Sequence, residues 1–332
     1  MRAMTTHAIR QHQFGGPDVL RYEEVHDPEP SPGQVRIAVR AAGVHLLDTS
    51  IRQGTSFGPF GPPELPMTPG REVAGVVDQV GTGTDPSWLG RPVVVHLGQA
   101  SGGYASTVVA AAEDLFPLGD EPDFTAAVAM VGTGRTALGI LETAEPTADD
   151  VALVTAAAGG LGALLVQALR AAGATVVGAA GGPAKVRVVE QLGADLAVDY
   201  TEDDWPDRVR KVLDGRGITL VLDGVGGAIG RSAFELASPG GRMVLFGYSD
   251  GAPMPLDAED LFASGVTVTA AVGPRMMGRP GGIRGLAQQA LAELAAGRLT
   301  PLVNPPFALA DAAAAHRALE GRGTTGKVIL VP

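Results

Sequence analysis

Residues 156–162, Ala156-Ala157-Ala158-Gly159-Gly160-Leu161-Gly162, are the stretch whose types and spacing point most directly to chemistry. Small residues leave the backbone bare, so its N–H groups can approach an anion closely. The preceding residues 151–155 form a short apolar run of the buried parallel-strand kind. An Ala/Leu-rich helix follows to about residue 173, and Val176 and Val177 open the next strand. A glycine turn between a strand and a helix N-terminus can cradle a pyrophosphate, and the helix dipole favours the negative charge. The strict G-x-G-x-x-G form is absent, because Ala157 stands where its first glycine would fall; a tight turn without a ligand is the alternative reading. The nucleotide follows from what lies beyond the turn. NAD sites place Asp or Glu about 20 residues on, to bind the ribose 2′-hydroxyl. Residues 178–185 contain no acid, Glu190 is the first, and Lys185 offers a cation. A carboxylate would repel a 2′-phosphate and a lysine can pair with one, so the expected cofactor is NADPH. A solvated helix lysine is the competing role for Lys185.

The reacting end has fewer candidates. The chain has no cysteine, which removes disulfides, thiolate zinc sites and cysteine nucleophiles. Its histidines (His7, His12, His26, His45, His96 and His316) are scattered without metal-ligand spacing. Gly-x-Ser-x-Gly does not occur. Without a Lewis acid to polarise a carbonyl, an acceptor that is already electrophilic suits best: a quinone, or an enone or enal. His45 is the candidate for stabilising the oxygen that gains charge; holding the cofactor's ribose or amide, or pointing away, are its other roles. Asp48 follows at i+3, placed to brace a short helix or to line the substrate pocket. Arg71 beside Glu72 reads as a structural ion pair. Tyr248 reads as a substrate donor or a packing residue, and Met276 with Met277 as a mobile pocket edge. His7, His12 and His26 are expected on the surface.

These residues need elements to hold them. The chain of 332 residues is long enough for two domains, and its 45% hydrophobic content supplies a large core. Residues 1–120 read as β-rich, with strands at 19–25, 34–41, 72–80, 92–97 and 104–111 and a short helix near 46–53. Gly/Pro clusters such as 58–63 separate them. A helix is expected at 125–143. Strands at 175–179, 196–199, 219–223 and 242–246 then alternate with helices, the pattern of a doubly wound parallel sheet. A strand at 266–270, helices at 283–296 and 310–320 and a last strand at 327–331 finish the chain. An α/β domain is thus expected inserted into a β-rich domain. The uncharged run 151–169 is long enough to span a bilayer, but its central glycines fit a buried βα unit better. A net charge of −11 argues against nucleic acid and anionic membrane as partners. The N-terminus lacks the apolar core of a signal peptide, so a cytoplasmic protein is expected.

Several motifs in order carry a family resemblance: FGGPDVL at 14–20, GVHLLDTSIRQG at 43–54, PGREVAGVVDQVG at 69–81, AAAGGLG at 156–162, DGVGG at 223–227, GGRMVLFG at 240–247 and TTGKVIL at 324–330. The chain resembles the medium-chain dehydrogenase/reductase superfamily in its zinc-free quinone oxidoreductase branch. The resemblance implies a Rossmann NADPH-binding domain at 124–265 inserted into a GroES-like, partly open barrel domain at 1–123 and 266–332. It implies that Ala158, Gly159, Gly160 and Leu161 meet the pyrophosphate, and that Gly181, Lys185 and Tyr200 hold the adenosine end. Thr136, Phe246, Gly247 and Tyr248 would lie at the nicotinamide end, and Lys327 would also serve the cofactor. It further implies a homodimer joined at the edge strand 266–270. The chain departs from the family at His45, often Asn; at Ser50, often Tyr; and at Tyr248, often Asn or Ser. Ser50, Asp48, Tyr248 and Met276 are therefore the expected substrate-pocket residues. A zinc-independent NADPH-dependent reductase of quinones or α,β-unsaturated carbonyls is the leading expectation; a non-catalytic NADPH-binding redox sensor or crystallin-like protein is the alternative.

Overall fold

The computed structural model describes residues 6–55, 62–98 and 101–332, so most of the Gly/Pro cluster at 58–63 lies outside the described residues. The chain divides into two compact units, one of residues 1–132 with 303–332 and one of residues 133–302.

In the first unit the strand Gln34–Val44 organises the rest. Its residues alternate between buried and half-buried as far as Val39 and are all buried from Ala41. One face therefore meets the core at first, and both are covered later. The strand pairs antiparallel with Glu72–Val80, Thr107–Ala111 and Val328–Val331. Two register shifts against Glu72–Val80 bend it. Strands Phe307–Ala308, Pro92–His96 and Phe116–Pro117 complete a seven-stranded sheet. Val35, Ile37, Val73, Val77, Val93 and Val95 fill its core. This is the expected GroES-like, partly open barrel. The hairpin of Thr6–Gln11 and Leu20–Val25 is tied to it where the Ile9 N–H donates to the Tyr104 carbonyl at 2.8 Å.

The second unit is a six-stranded, all-parallel sheet in the order Leu196–Asp199, Thr175–Ala180, Val151–Val154, Ile218–Asp223, Ala237–Leu245, Thr267–Ala270. Every residue of Val151–Val154 is buried, as a strand covered by helices on both faces requires. The connections run one way from this strand through Thr175–Ala180 and the other way from Ile218–Asp223. The carboxyl ends at that reversal are where doubly wound sheets bind ligands.

The two units divide the chain at other points than the expected domains. Residues 266–302 belong with the parallel sheet, because Thr267–Ala270 pairs with residues 242–245 and the helix Gly282–Ala295 packs on Arg135–Ala144. Residues 124–132 belong with the barrel, because the helix Phe124–Ala129 packs on strands Gln34–Val44 and Glu72–Val80. The expected helix at 125–143 is broken by a π-type turn, Met130–Gly134. By length and composition the run Phe124–Ala144 could cross a membrane, yet most of it is buried within the fold.

Candidate active site

In the barrel unit, His45, Glu72 and Lys327 converge from three elements. His45 is the N-cap of the helix Leu46–Arg52, Glu72 opens the strand Glu72–Val80, and Lys327 precedes the strand Val328–Val331. Register explains the meeting: Val328 lies opposite Val44 and Ala42 opposite Val73. The Glu72 carboxylate is fully buried, and its Oε1 lies 2.9 Å from His45 Nε2. The same oxygen is ion-paired with Lys327 Nζ, whose ammonium is 3.1 Å from His45 Nε2. Burial opposes the carboxylate charge, but His45 and Lys327 outweigh it and hold Glu72 well below the usual carboxylate range. Oε1 is held by charge, without a hydrogen bond of good geometry among the described residues, and Oε2 likewise has no hydrogen-bond partner there. Oε2 lies against Gly132, where any side chain would collide with it. The His45 side chain keeps 26% of its surface exposed.

A second network holds the same helix from below. Asp48 Oδ2 accepts the His45 backbone N–H at 2.9 Å and the Tyr104 hydroxyl at 3.0 Å. Tyr104 Oη is 3.2 Å from His316 Nε2, and Arg52 Nη1 donates to His316 Nδ1 at 3.1 Å. Arg52 also pairs with Glu320 at 2.6 Å. The pattern fixes the proton. With Nδ1 accepting from arginine, neutral His316 carries its hydrogen on Nε2 and passes it to Tyr104. Burial, aided by Arg52 and opposed by Asp48 and Glu320, pushes the His316 imidazole down to about 4. Asp48 is therefore a brace of the helix. Arg71 does not pair with Glu72 as expected: its Nε faces Asp48 Oδ1 at 3.9 Å, because neighbours on an extended chain point to opposite sides. Ser50 is half-buried on the same helix. His12 is exposed, with Glu23 at 2.8 Å, and His26 is exposed; His7 is half-buried, stacked on Tyr22.

In the nucleotide unit, the expected cofactor residues sit just past the carboxyl ends of successive strands. Ala158–Leu161 follow Val154, Gly181 and Lys185 follow Ala180, Tyr200 follows Asp199, and Phe246, Gly247 and Tyr248 follow Leu245. The glycine turn fits a pyrophosphate. Gly159 is the N-cap of the helix Gly160–Ala171, no side chain caps that helix, and its first turn holds no acid. Ala156 takes a left-handed conformation at φ 49° to make the turn. Gly162 sits so close to the backbone of Ala156 and Ala157 that no side chain would fit. Thr155 and Asp223 lock the turn to the neighbouring strand. Thr155 Oγ1 donates to Asp223 Oδ1 at 2.6 Å, and the carboxylate accepts the N–H groups of Val225 and Gly226 at 3.0 and 3.1 Å. Burial raises Asp223 against these bonds. At the next strand end the Tyr200 ring packs against Gly181. Asp199, the nearest acid, is engaged: its Oδ1 accepts the N–H groups of Gly182 and Thr201 at 2.8 and 2.9 Å. Lys185 is half-buried in the first turn of the helix Pro183–Gln191. An open groove of about 590 Å³ there includes Pro183, Arg187, Asp199, Glu202 and Arg208. Thr136 is half-buried in the first turn of Arg135–Ala144. Phe246 packs over Gly224, while Tyr248 is exposed. Met276 packs on Gly139 and so belongs to helix packing, whereas Met277 is exposed.

Sequence reasoning missed two features: the Glu72–Lys327 pair, whose members lie far apart in the chain, and the Thr155–Asp223 lock. Their only signal was the unpaired look of a lysine and an aspartate within otherwise apolar motifs.

Comparison with known proteins matches residues 31–120 to the alcohol dehydrogenase GroES-like domain and residues 160–291 to the zinc-binding dehydrogenase domain. The chain is 32% identical to a quinone oxidoreductase of Pseudomonas aeruginosa, over 96% of this chain and 97% of the relative. It is also 32% identical to a 2-haloacrylate reductase of Burkholderia sp, over 97% of each. Among solved structures it is similar to Escherichia coli quinone oxidoreductase complexed with NADPH, with a TM-score of 0.85 and 30% identity, over 98% of this chain and 100% of that one.

Proposed function

The chain belongs to the medium-chain dehydrogenase/reductase superfamily, in its quinone oxidoreductase branch, and from that premise we propose that it is a zinc-independent, NADPH-dependent reductase of quinones or α,β-unsaturated carbonyls. The observation that carries this is the pairing of an uncapped glycine-turn helix, Gly160–Ala171, with a following strand end that carries Lys185 and where Asp199 Oδ1 is taken by the backbone N–H groups of Gly182 and Thr201. A 2′-phosphorylated dinucleotide suits such a cradle, and NADPH is present in the E. coli relative.

NADPH, when bound, supplies a hydride. Gly159, Gly160 and Leu161 would take the pyrophosphate, Gly181, Lys185 and Tyr200 the adenosine end, and Thr136, Phe246, Gly247 and Tyr248 the nicotinamide end. The protein's own task at the acceptor is to orient it and to meet the oxygen that gains charge. His45 is the group we assign to that oxygen, and the balancing proton comes from water. The donor set supports the zinc-independent reading: there is no cysteine, and among the described residues no group of three or more His, Asp or Glu is placed to hold an ion. That favours acceptors already activated by conjugation over saturated ketones. A Burkholderia relative named for a conjugated substrate supports the same class. The strand Thr267–Ala270 ends its sheet with one edge unpaired among the described residues, and we place a homodimer contact there.

The test is steady-state NADPH oxidation against a quinone, an enone, a saturated ketone and no acceptor. Turnover with the first two alone supports the proposal. Tight NADPH binding without turnover on any acceptor would favour a binding protein or sensor instead.

A further inference from the structure

We propose that Asp199 is a positioning residue for the nucleotide, a clip that holds the helix bearing Lys185 and the loop bearing Tyr200 at the spacing a 2′-phosphate needs. The inference rests on the reading of Lys185 and Tyr200 as adenosine-end residues, and extends it to the acid that joins their segments.

The contacts converge on one atom. Asp199 Oδ1 accepts the Gly182 N–H at 2.8 Å, the Thr201 N–H at 2.9 Å and the Thr201 hydroxyl at 2.6 Å. Register puts the carboxylate there: Asp199 ends its strand opposite Ala180, the last residue of the neighbouring strand. Gly182, left-handed at φ 91°, is the N-cap of the helix Pro183–Gln191. Its carbonyl accepts the N–H groups of Lys185 and Val186, each at 3.1 Å. A glycine N-cap has no side chain with which to fix a helix start, and here Asp199 fixes it from the adjacent strand. On the other side Thr201 follows Tyr200, whose N–H donates to the Ala180 carbonyl at 3.1 Å and whose ring packs against Gly181. One carboxylate oxygen thus sets the spacing between the segments that carry Lys185 and Tyr200. Asp199 is buried. Burial opposes its charge, but the bonds from Thr201 and Gly182, with Arg208 nearby, outweigh it and hold the carboxyl below its ordinary range. The oxygen is therefore an acceptor only, suited to three donors at once. Charge-assisted bonds to a phosphate are short and geometrically demanding, so a loosened clip costs the phosphate contact before it costs the rest of the nucleotide.

Asp199→Ala removes the acceptor, while Asp199→Asn keeps an accepting oxygen and removes the charge. Asp199→Leu, which fills the space without an acceptor, replaces the alanine variant if that one melts below the assay temperature. Fluorescence titration with NADPH and NADH reads the discrimination, and thermal melting checks the fold. A positioning residue can cost no more than the contacts it positions, so Asp199→Ala should weaken NADPH by about tenfold and NADH by less than about twofold. Asp199→Asn should keep the preference of the parent chain. In Asp199→Ala/Lys185→Ala the two losses should fall short of their sum, because both act on one contact. Equal weakening of NADPH and NADH overturns the proposal and leaves Asp199 a merely structural acid. So does a loss in Asp199→Asn as large as in Asp199→Ala, or full additivity with Lys185→Ala. A selective loss in Lys185→Ala beside an unaltered Asp199→Ala defeats the clip and keeps the reading of Lys185. The converse, a selective loss in Asp199→Ala beside an unaltered Lys185→Ala, keeps the clip, acting through Tyr200, and defeats the reading of Lys185.

Discussion

At the scale of single residues, two side chains make opposite kinds of claim. Lys185 is proposed to meet the 2′-phosphate. A hydrogen bond to a charged group is worth roughly 1.5–3 kcal/mol, so Lys185→Ala should weaken NADPH by about 10- to 100-fold and leave NADH nearly unchanged. Fluorescence titration with both nucleotides checks this, and equal losses would remove the role. His316 is a matter of stability. Its folded value is pushed from 6.5 down to about 4, so the unfolded chain binds the extra proton between those pH values. Its contribution is complete above about pH 6.5 and is lost as pH falls through about 4, on the order of 3 kcal/mol in all. Melting temperature should drop between pH 7 and pH 4.5, and His316→Gln should melt lower at pH 7 but with a flatter profile; an equally steep profile in the variant would assign the slope elsewhere. A role for Lys185 could be proposed from sequence because it depends on the absence of an acid among residues 178–185. The Glu72–Lys327 pair could not, because only the antiparallel register of three distant strands brings its members together.

At the scale of elements, the glycine turn shows what local sequence can specify. Strand, turn and helix are consecutive, so composition and period define them together, and the strand Glu72–Val80 was readable to the residue for the same reason. The π-type turn at Met130–Gly134 was not; within it Gly132 lies against the Glu72 carboxylate, a contact between residues far apart in the chain. Gly162 tests the turn. A methyl group there would press on the backbone of Ala156 and Ala157, and such overpacking costs typically about 1–3 kcal/mol. Gly162→Ala should lower the melting temperature and weaken both NADPH and NADH alike, in contrast to Lys185→Ala. Calorimetry with nucleotide titration would show it, and unchanged binding of both would mean the turn does not touch the pyrophosphate.

At the scale of the whole molecule, the order of strands was the least legible feature. Residues 266–270 were read as a strand, but nothing local says that it joins the parallel sheet beside residues 242–245, and so residues 266–302 were expected with the barrel residues while their contacts group them with the parallel sheet. The same strand is where the homodimer contact is proposed. Its outer edge is unpaired among the described residues, and Phe262, on the helix just before it, is 91% exposed. Unpaired edges invite pairing, so light scattering at micromolar concentration should give twice the chain mass, and Val268→Lys should shift it toward the monomer; a monomer mass for the parent chain would contradict the contact.

The proposed reaction moves a hydride from NADPH to an activated acceptor without a metal, on the strength of a glycine turn suited to a nucleotide and a sequence without cysteine. The measurement that meets it most directly is turnover of NADPH with an enone by protein stripped with chelator and verified by elemental analysis. Unchanged activity in metal-free protein is the predicted result. Loss of activity restored by about one zinc per chain would contradict it.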